Sequence, residues 1–428
     1  MTEADQPQPA YQLYSARQRW FFLALLFLAS MWNYVDRAVM SVLIQPIKAE
    51  FQASDAQMGL LTGFAFAASY AIFGIPVARL SDRGDRRIIL TVSVAIWSVL
   101  TAACGAAASF TQLVATRLGV GVGEAGAIPP AQSLIADYFP PEQRTRALAV
   151  FMSSAMCGSF IALTIGAQVA ESHGWRMAFI VLGLPGLVVA MLTGLFLKEP
   201  RRRMRAAQVA KAGGESFADN LRALARKPSY ILANVAMTLY FLVAYGATSW
   251  FPAYLGRVLG IGLGQIGASY GPVVAIAALI GTLGGGVLTD RLGARDRRLL
   301  GWAPGAILLL CWPVLAIALM TDSYVVFLIA AAIGTAGIYG ALPGMFAILH
   351  SVCGSPRRAM AVAIVYFFSN LLGLGFGPLI TGLLSDVFTA AHGPVGLRYA
   401  LMAGTLFLIP CAIALAVAGS RSLHDLED

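Results

Sequence analysis

Apolar blocks recur along the whole chain, and each is about 20 to 26 residues long. A helix rises 1.5 Å per residue, so a block of this length crosses the roughly 30 Å hydrocarbon core of a bilayer. Hydrophobic residues make up 58% of the 428 residues and charged residues only 12%, whereas soluble domains average about 45–50% and 25%. The pattern predicts a polytopic membrane protein.

Twelve membrane spans are predicted, six in each half of the chain. All should be helices, because lipid offers no partner for an open backbone polar group. Spans 1 to 6 are placed at 20–45, 56–80, 88–108, 112–136, 145–169 and 175–197. Spans 7 to 12 are placed at 229–256, 265–289, 299–319, 324–349, 358–387 and 396–418.

Lys and Arg are concentrated in the loops that follow even-numbered spans, with nine of them in the middle loop at 198–228. Such loops stay in the cytoplasm under the positive-inside rule. We therefore expect both termini and the middle loop to be cytoplasmic, in a multi-pass protein of the plasma membrane (the inner membrane in a bacterium).

Several function classes are disfavoured. The net charge of +9 lies in short loops and does not indicate a nucleic-acid partner. The five cysteines and four histidines show no metal-ligand spacing, so no metal or cofactor is expected. Motifs such as H-E-x-x-H, G-x-S-x-G and the P-loop are missing from the sequence, so an enzyme is not expected.

The domain layout follows from the spans. A cytoplasmic segment (1–19) precedes an N-terminal six-helix bundle (20–197), and a linker (198–228) leads to a C-terminal bundle (229–418) and a cytoplasmic tail (419–428). In the linker, Ser216 and Asp219 form an S-x-x-D cap before apolar residues at helical spacing, which predicts a short amphipathic helix.

The two halves repeat each other. The loop after span 2 reads ARLSDRGDRR and the loop after span 8 reads GVLTDRLGARDRR, so Asp82 and Asp290 correspond at an offset of 208 residues. Arg146 and Arg358 correspond at the entries to spans 5 and 11. Parallel six-helix repeats are a known transporter design, with the substrate site near the bilayer midplane.

These motifs resemble the major facilitator superfamily, whose loop motif is G-x-x-x-D-R-x-G-R-R. The copy that begins at Gly286 matches it well, whereas the first copy has Ala78 at the leading glycine. Arg117-x-x-x-Gly121-x-Gly123 resembles a second family motif. The resemblance implies an all-α membrane protein of two pseudo-symmetric six-helix bundles that works by alternating access. Whether transport is symport, antiport or uniport stays open.

A narrower resemblance, to the spinster-type members, rests on NYVDR (33–37), on the segment 59–83, and on Arg117 and Glu124. It implies a lysolipid or a sphingoid-phosphate-like substrate. We expect a secondary transporter for an amphipathic anionic molecule, with proton coupling as an open part of that expectation. The alternative is a proton-coupled transporter of drugs or organic anions. A monomer in the bilayer is expected.

Four charged residues fall well inside spans: Asp36, Arg37, Arg117 and Glu124. A charge at the bilayer centre costs at least about 2.5–3.5 kcal/mol, so such residues mark functional sites by default. One interpretation is a pair of ion bridges that only hold spans 1 and 4 together. The other is that Arg37 and Arg117 bind an anionic head group, Glu124 lines the same site, and Asp36 or Glu124 carries a proton.

Polar and aromatic side chains complete the candidate substrate site. The second half contains no mid-span charge, which suggests a cavity that is charged on one wall and apolar on the other. The candidates are Tyr34, Tyr240, Tyr245, Tyr339, Tyr366 and Asn370.

Charges at the cytoplasmic ends of spans form a separate group. The family resemblance implies that they latch the cytoplasmic side closed in the outward-open state, whereas the simpler interpretation is that the arginines only set topology. The group comprises Asp82, Arg83, Arg86, Asp137, Arg144, Asp290 and Arg291.

Overall fold

A computed structural model describes residues 10–200, 217–353, 357–423 and 425. Every regular element in these ranges is a helix, which confirms the predicted all-α class. Large apolar side chains are exposed along the outsides of the helices, as at Ile72, Leu310 and Val387. Lipid-facing surfaces have this character, so the helices suit a bilayer rather than water.

The first half contains spans 1 to 6. Span 1 is Ala16–Phe51 and span 3 is Arg86–Cys104. The other helices are interrupted. Span 2 consists of Asp55–Gly59, Leu60–Phe64 and Ala65–Arg83, and span 4 of Phe110–Glu124 and Ile128–Tyr138. Spans 5 and 6 together consist of Pro141–Ile161, Ala162–Gly166, Ala167–Gly183 and Pro185–Phe196.

The second half begins after a short linker helix, Phe217–Ala225, where an amphipathic helix is predicted; Ser216 lies outside the described residues. Spans 7, 9 and 10 are Pro228–Val258, Leu299–Met320 and Tyr324–Val352. Span 8 is Leu263–Gln265, Ile266–Tyr270 and Gly271–Arg295; span 11 is Arg358–Phe368, Ser369–Phe376 and Gly377–His392; span 12 is Gly396–Thr405 and Leu408–Arg421.

Within the described residues, nine helical segments are long and apolar enough to cross a membrane. Two of them, of 56 and 62 residues, are each long enough to cross twice. Each contains a glycine at positive φ, Gly174 (φ 82°) and Gly393 (φ 63°), where the helix is interrupted. Span 4 falls outside the nine because its helix breaks after Glu124. The segments therefore fit the twelve predicted crossings.

Backbone irregularities recur at matching places in the two halves. A π-helical turn lies near the start of spans 2 and 8, at Leu60–Phe64 and Ile266–Tyr270. A second pair, Ala162–Gly166 and Ser369–Phe376, lies within spans 5 and 11. Gln52 (φ 49°) and Gly260 (φ 69°), which precede spans 2 and 8, are 208 residues apart. The backbone thus repeats at the offset that the loop motifs indicate.

The chain forms two compact units, Met1–Val39 with Ala68–Gly214, and Met40–Ala67 with Glu215–Asp428. The first unit buries large side chains that include Trp97 and Phe151. The second buries Trp250, Tyr254 and Phe327. The end of span 1 and the start of span 2 thus belong to the same unit as spans 7 to 12.

Spans 8 and 10 approach closely through small residues. A Cβ added to Gly281 would collide with the carbonyl of Ala336, and one added to Gly285 with the carbonyl of Gly340. Small residues allow membrane helices to pack backbone against backbone, where dispersion contacts replace a hydrophobic driving force.

Gly285→Val should therefore lower the melting temperature of the detergent-solubilised protein, because the new side chain pushes span 8 away from span 10. Overpacking of this kind costs roughly 1–3 kcal/mol. The matched control is Gly284→Val, since a Cβ at Gly284 meets nothing within 4 Å. Equal melting temperatures for the two variants would contradict the packing argument.

Candidate functional site

Arg37 and Glu124 form an ion pair inside the first unit, as the sequence interpretation allows. The Arg37 Nε donates to Glu124 Oε2 at 2.7 Å. The Glu124 side chain is fully buried, whereas 12% of the Arg37 side chain is exposed. The guanidinium is therefore the more accessible of the two charged groups.

The break in span 4 places Glu124 at the end of a helix. Residues 125–127 form a turn, and Pro129 and Pro130 start the next helix. Gly123 and Gly126 let this segment approach span 3, because a Cβ on Gly126 would overlap the Ser93 hydroxyl and one on Gly123 would lie 3.0 Å from the backbone nitrogen of Trp97. A carboxylate at a helix C-terminus faces the negative end of the helix dipole, so Glu124 depends on the charge of Arg37.

Two tyrosine rings flank the Arg37 guanidinium. Its Cζ lies 5.6 Å from the ring centroid of Tyr34 and 5.0 Å from that of Tyr70. Cation–π contacts are worth about 0.5–1 kcal/mol at exposed sites and about 2 kcal/mol when desolvated. Sequence reasoning included Tyr34 and missed Tyr70. The available signal was that Tyr70 is the only tyrosine in span 2.

Asp36 of span 1 and Arg117 of span 4 are neighbours of the pair that Arg37 and Glu124 form. The Arg117 Nη1 donates to the backbone carbonyl of Asp36 at 3.4 Å, and both residues are buried. The side chain of Thr101, on span 3, is the polar neighbour of the buried Asp36 carboxylate. The four predicted charges therefore form one group: Arg37 pairs directly with Glu124, and Arg117 lies close enough to act electrostatically on both Asp36 and Glu124.

The remaining predicted substrate residues lie in the second unit. The buried Tyr240 donates its hydroxyl to the carbonyl of Ile338 at 3.2 Å, and Tyr240 and Tyr245 both contact the ring of Phe241. Asn370 donates to the carbonyl of Tyr366 at 2.8 Å. Tyr339 is half-buried in span 10. Their contact with a substrate stays a prediction.

Arg86 is the centre of a second charge cluster, at the linker-side ends of spans 3, 4 and 6. Its Nη2 contacts Asp137 Oδ2 at 2.6 Å and Glu199 Oε1 at 2.5 Å, and its backbone N–H donates to Glu199 Oε2 at 2.8 Å. Glu199, which follows span 6, was not foreseen; its signal was an acid next to the run of arginines that opens the middle loop. The structure thus joins two of the predicted latch residues, Arg86 and Asp137.

The other predicted latch residues are placed differently. Arg144 donates its Nε to the carbonyl of Phe139 at 3.1 Å. The side chains of Asp82 and Arg83 lie outside the described part of the structure. Asp290 and Arg291 are exposed near the end of span 8, and neither forms an ion pair with another described residue.

Comparisons with known proteins agree with this architecture. The family model of the Major Facilitator Superfamily matches residues 26–342. An MFS-type efflux pump of Mycolicibacterium smegmatis is 35% identical over 90% of this chain and 89% of its own length. The human protein spinster homolog 1 is 30% identical over 94% of this chain and 79% of its own length.

A solved structure extends the likeness to three dimensions. It is the crystal structure of a bacterial homolog of the human lysosomal transporter spinster, in an inward-facing and unoccupied conformation. The TM-score is 0.88 and the sequence identity 30%, over 97% of this chain and all of that one.

The ion pair between Arg37 and Glu124 predicts how substitutions change the melting temperature. Glu124→Leu should lower the melting temperature, because it leaves the Arg37 charge in an apolar site; breaking one side of a buried pair costs about 3–5 kcal/mol. Arg37→Leu should be comparably damaging. The double variant should recover most of the loss, since apolar replacements of a whole buried pair are often neutral. Additive losses in the double variant would contradict a direct pair.

Proposed function

The chain belongs to the major facilitator superfamily and is a membrane transporter, and we propose that it moves an amphipathic, anionic, lipid-like molecule by alternating access. The observation that carries the proposal is Arg37, a largely buried guanidinium between two tyrosine rings whose side chain is still 12% exposed. The spinster-type sequence motifs and the likeness to spinster homologs support the lipid-like class.

The chemistry around Arg37 favours a ligand with a charged head and an apolar body. A guanidinium pairs strongly with a carboxylate or a phosphate group through charge-assisted hydrogen bonds. Tyr34 and Tyr70 present ring surface beside that charge, which suits the first carbons of an acyl or sphingoid chain. Arg117 is 1% exposed, so it would add positive potential to the site rather than touch the ligand.

Coupling to protons would follow from competition for Arg37. A ligand anion that takes the guanidinium leaves Glu124 as a buried carboxylate without its counter-ion, and a buried unpaired charge is costly. Proton uptake by Glu124 would remove that cost, so ligand and proton would favour each other's binding by linkage. One proton crossing a potential of 100 mV supplies about 2.3 kcal/mol. Asp36, whose carboxylate is buried, is the other candidate.

A drug or an organic anion is the second candidate substrate. The 35% identity to an efflux pump favours it. The two classes differ in their dependence on an apolar chain, because a lipid-like substrate should lose affinity steadily as its chain shortens, by about 0.8 kcal/mol per buried methylene. The affinity of an organic-anion site should not depend on the length of such a chain.

Arg37→Ala in proteoliposomes should reduce transport of a lysolipid or sphingoid-phosphate probe at least tenfold, because the anion loses its counter-ion. Arg37→Lys, which keeps the charge but loses the planar fork, should retain part of the activity. Thermal melts of both variants separate misfolding from lost binding. Transport by folded Arg37→Ala at the wild-type rate would refute the head-group role.

The coupling proposal predicts that an imposed pH gradient alters transport by the wild type. Glu124→Gln cannot take up a proton on that side chain, so it should remove the response if Glu124 carries the proton, whereas Asp36→Asn should remove it if Asp36 does. Uptake is measured at equal and unequal pH across the same vesicles. A full response in both folded variants would show that neither carboxylate carries the proton.

A further inference from the structure

Trp20 and Arg146 meet at the beginnings of spans 1 and 5, in a place that the transport site does not include. The Arg146 Cζ lies 5.5 Å from the centroid of the Trp20 ring. Both side chains are exposed, that of Trp20 by 37%. Trp20 and Arg37 lie on one continuous helix, about 25 Å apart along its axis at 1.5 Å per residue. A ligand beside Trp20 would therefore be separate from the substrate.

Three further arginines lie within one turn of these two residues. Arg17 precedes Trp20 by three positions, so the two share a face of span 1, and Arg17 is exposed. Arg144 donates its Nε to the carbonyl of Phe139 at 3.1 Å. The Phe139 ring in turn lies 5.3 Å from that of Trp20. The third arginine is Arg19, directly before Trp20.

Arg19 contains a donor that the protein does not satisfy. Its Nε is buried, and no described residue accepts a hydrogen bond from it. Such a buried donor is unfavourable, and more so on a charged group. The only acid in 15–20 and 139–146 is Glu142, against four arginines. None of the four forms an ion pair with an acid of the described ranges, so the place suits an anion.

Apolar surface continues from the arginines along the same spans. Val150, one turn after Arg146 on span 5, is 38% exposed. Phe21, next to Trp20, is 46% exposed and its ring contacts that of Phe196. Tryptophan itself is enriched at the boundary between hydrocarbon and water. Positive charge at this boundary, with apolar surface beyond it, matches the layout of a phospholipid.

The corresponding place in the second half is occupied by the chain itself. The 208-residue offset puts Lys227 at the position of Arg19. The Lys227 Nζ donates to the carbonyl of Val352 at 2.8 Å and to that of Asp425 at 3.3 Å. The Asp425 Oδ2 accepts from the backbone N–H of Ser229 at 3.0 Å and from its hydroxyl at 2.7 Å. The tail thus supplies a carboxylate to span 7, whereas no described acid does so for Arg19 at span 1.

We propose that Arg17, Arg19, Trp20 and Arg146 form a binding site for the head group of an anionic phospholipid of the inner leaflet. Guanidinium groups bind phosphate through charge-assisted hydrogen bonds, and basic clusters at the cytoplasmic ends of membrane helices are a known type of site for anionic head groups. The head group supplies the acceptor that Arg19 lacks. This lipid is bound rather than transported, and it joins the beginning of span 1 to that of span 5.

The probe for this site is a phosphatidylglycerol with brominated acyl chains, because bromine quenches tryptophan fluorescence at short range. It is titrated into the full-length protein in a neutral detergent. The quenching that is lost in Trp20→Phe is the signal from the site. The matched lipid is brominated phosphatidylcholine, whose head group has no net charge. Phosphatidylglycerol should bind about tenfold more tightly, because only its charge is unbalanced before it meets the arginines.

Arg146→Gln should weaken the binding of phosphatidylglycerol about fivefold, the factor for the roughly 1 kcal/mol that one basic residue contributes at an anionic surface. The matched control is Arg297→Gln, which removes an exposed arginine between spans 8 and 9 and should bind like the parent. Thermal melts confirm that both variants fold. Equal affinities for the two lipids, unchanged affinity in folded Arg146→Gln, or an equal loss in Arg297→Gln would overturn the proposal.

Arg17→Gln provides the same test if Arg146→Gln does not fold, and parent affinity in folded Arg17→Gln would then reject the site. Inorganic phosphate, added as a competitor, distinguishes a lipid from a free anion. A lipid also contacts the apolar surface at Phe21 and Val150, so millimolar phosphate should not displace it. Displacement of the brominated lipid by phosphate would assign the arginines to a free anion and overturn the lipid site.

Discussion

Pairing between Arg37 and Glu124 is the interaction on which the first unit depends. A buried charge without a partner is costly, and the contact at 2.7 Å joins span 1 to the point where span 4 breaks. The glycines around Glu124 let the broken segment lie against span 3, so the carboxylate is fixed by packing while the arginine keeps an exposed edge.

Much of this architecture could be predicted from the sequence, because bilayer thickness and backbone hydrogen bonding leave few options for long apolar blocks. The partnership of Arg37 with Glu124 was also foreseeable, since few mid-span charges were available to pair. Span 4 was predicted as one helix, 112–136, but it is interrupted at 125–127. The helix breaks in the glycine-rich stretch before Pro129 and Pro130, and a hydropathy average over the span does not detect such a break.

Contacts between distant segments account for what sequence reasoning missed. Tyr70 is an ordinary aromatic in span 2 until the fold places its ring beside Arg37. Glu199 and Asp55 lie at span ends, where a charged residue is unremarkable in sequence. Their partners, Arg86 and Arg257, are 113 and 202 residues away, and no local pattern specifies pairs at that separation. The backbone irregularities repeat in both halves, whereas these charged residues do not. The repeat therefore predicts the course of the backbone better than the positions of the ion pairs.

The glycine contacts between spans 2 and 11 affect how easily these two helices could separate. Gly59 and Gly63 face Pro378 and Gly375 without interlocking side chains. Leucine knobs set in holes would have to change rotamers before the helices could part, whereas glycine and proline have no side-chain rotamer freedom to lose or regain. At these positions the backbones of the two helices contact each other directly, so few side chains obstruct their separation. A movement that separates spans 2 and 11 would need no side-chain rearrangement at these two glycines.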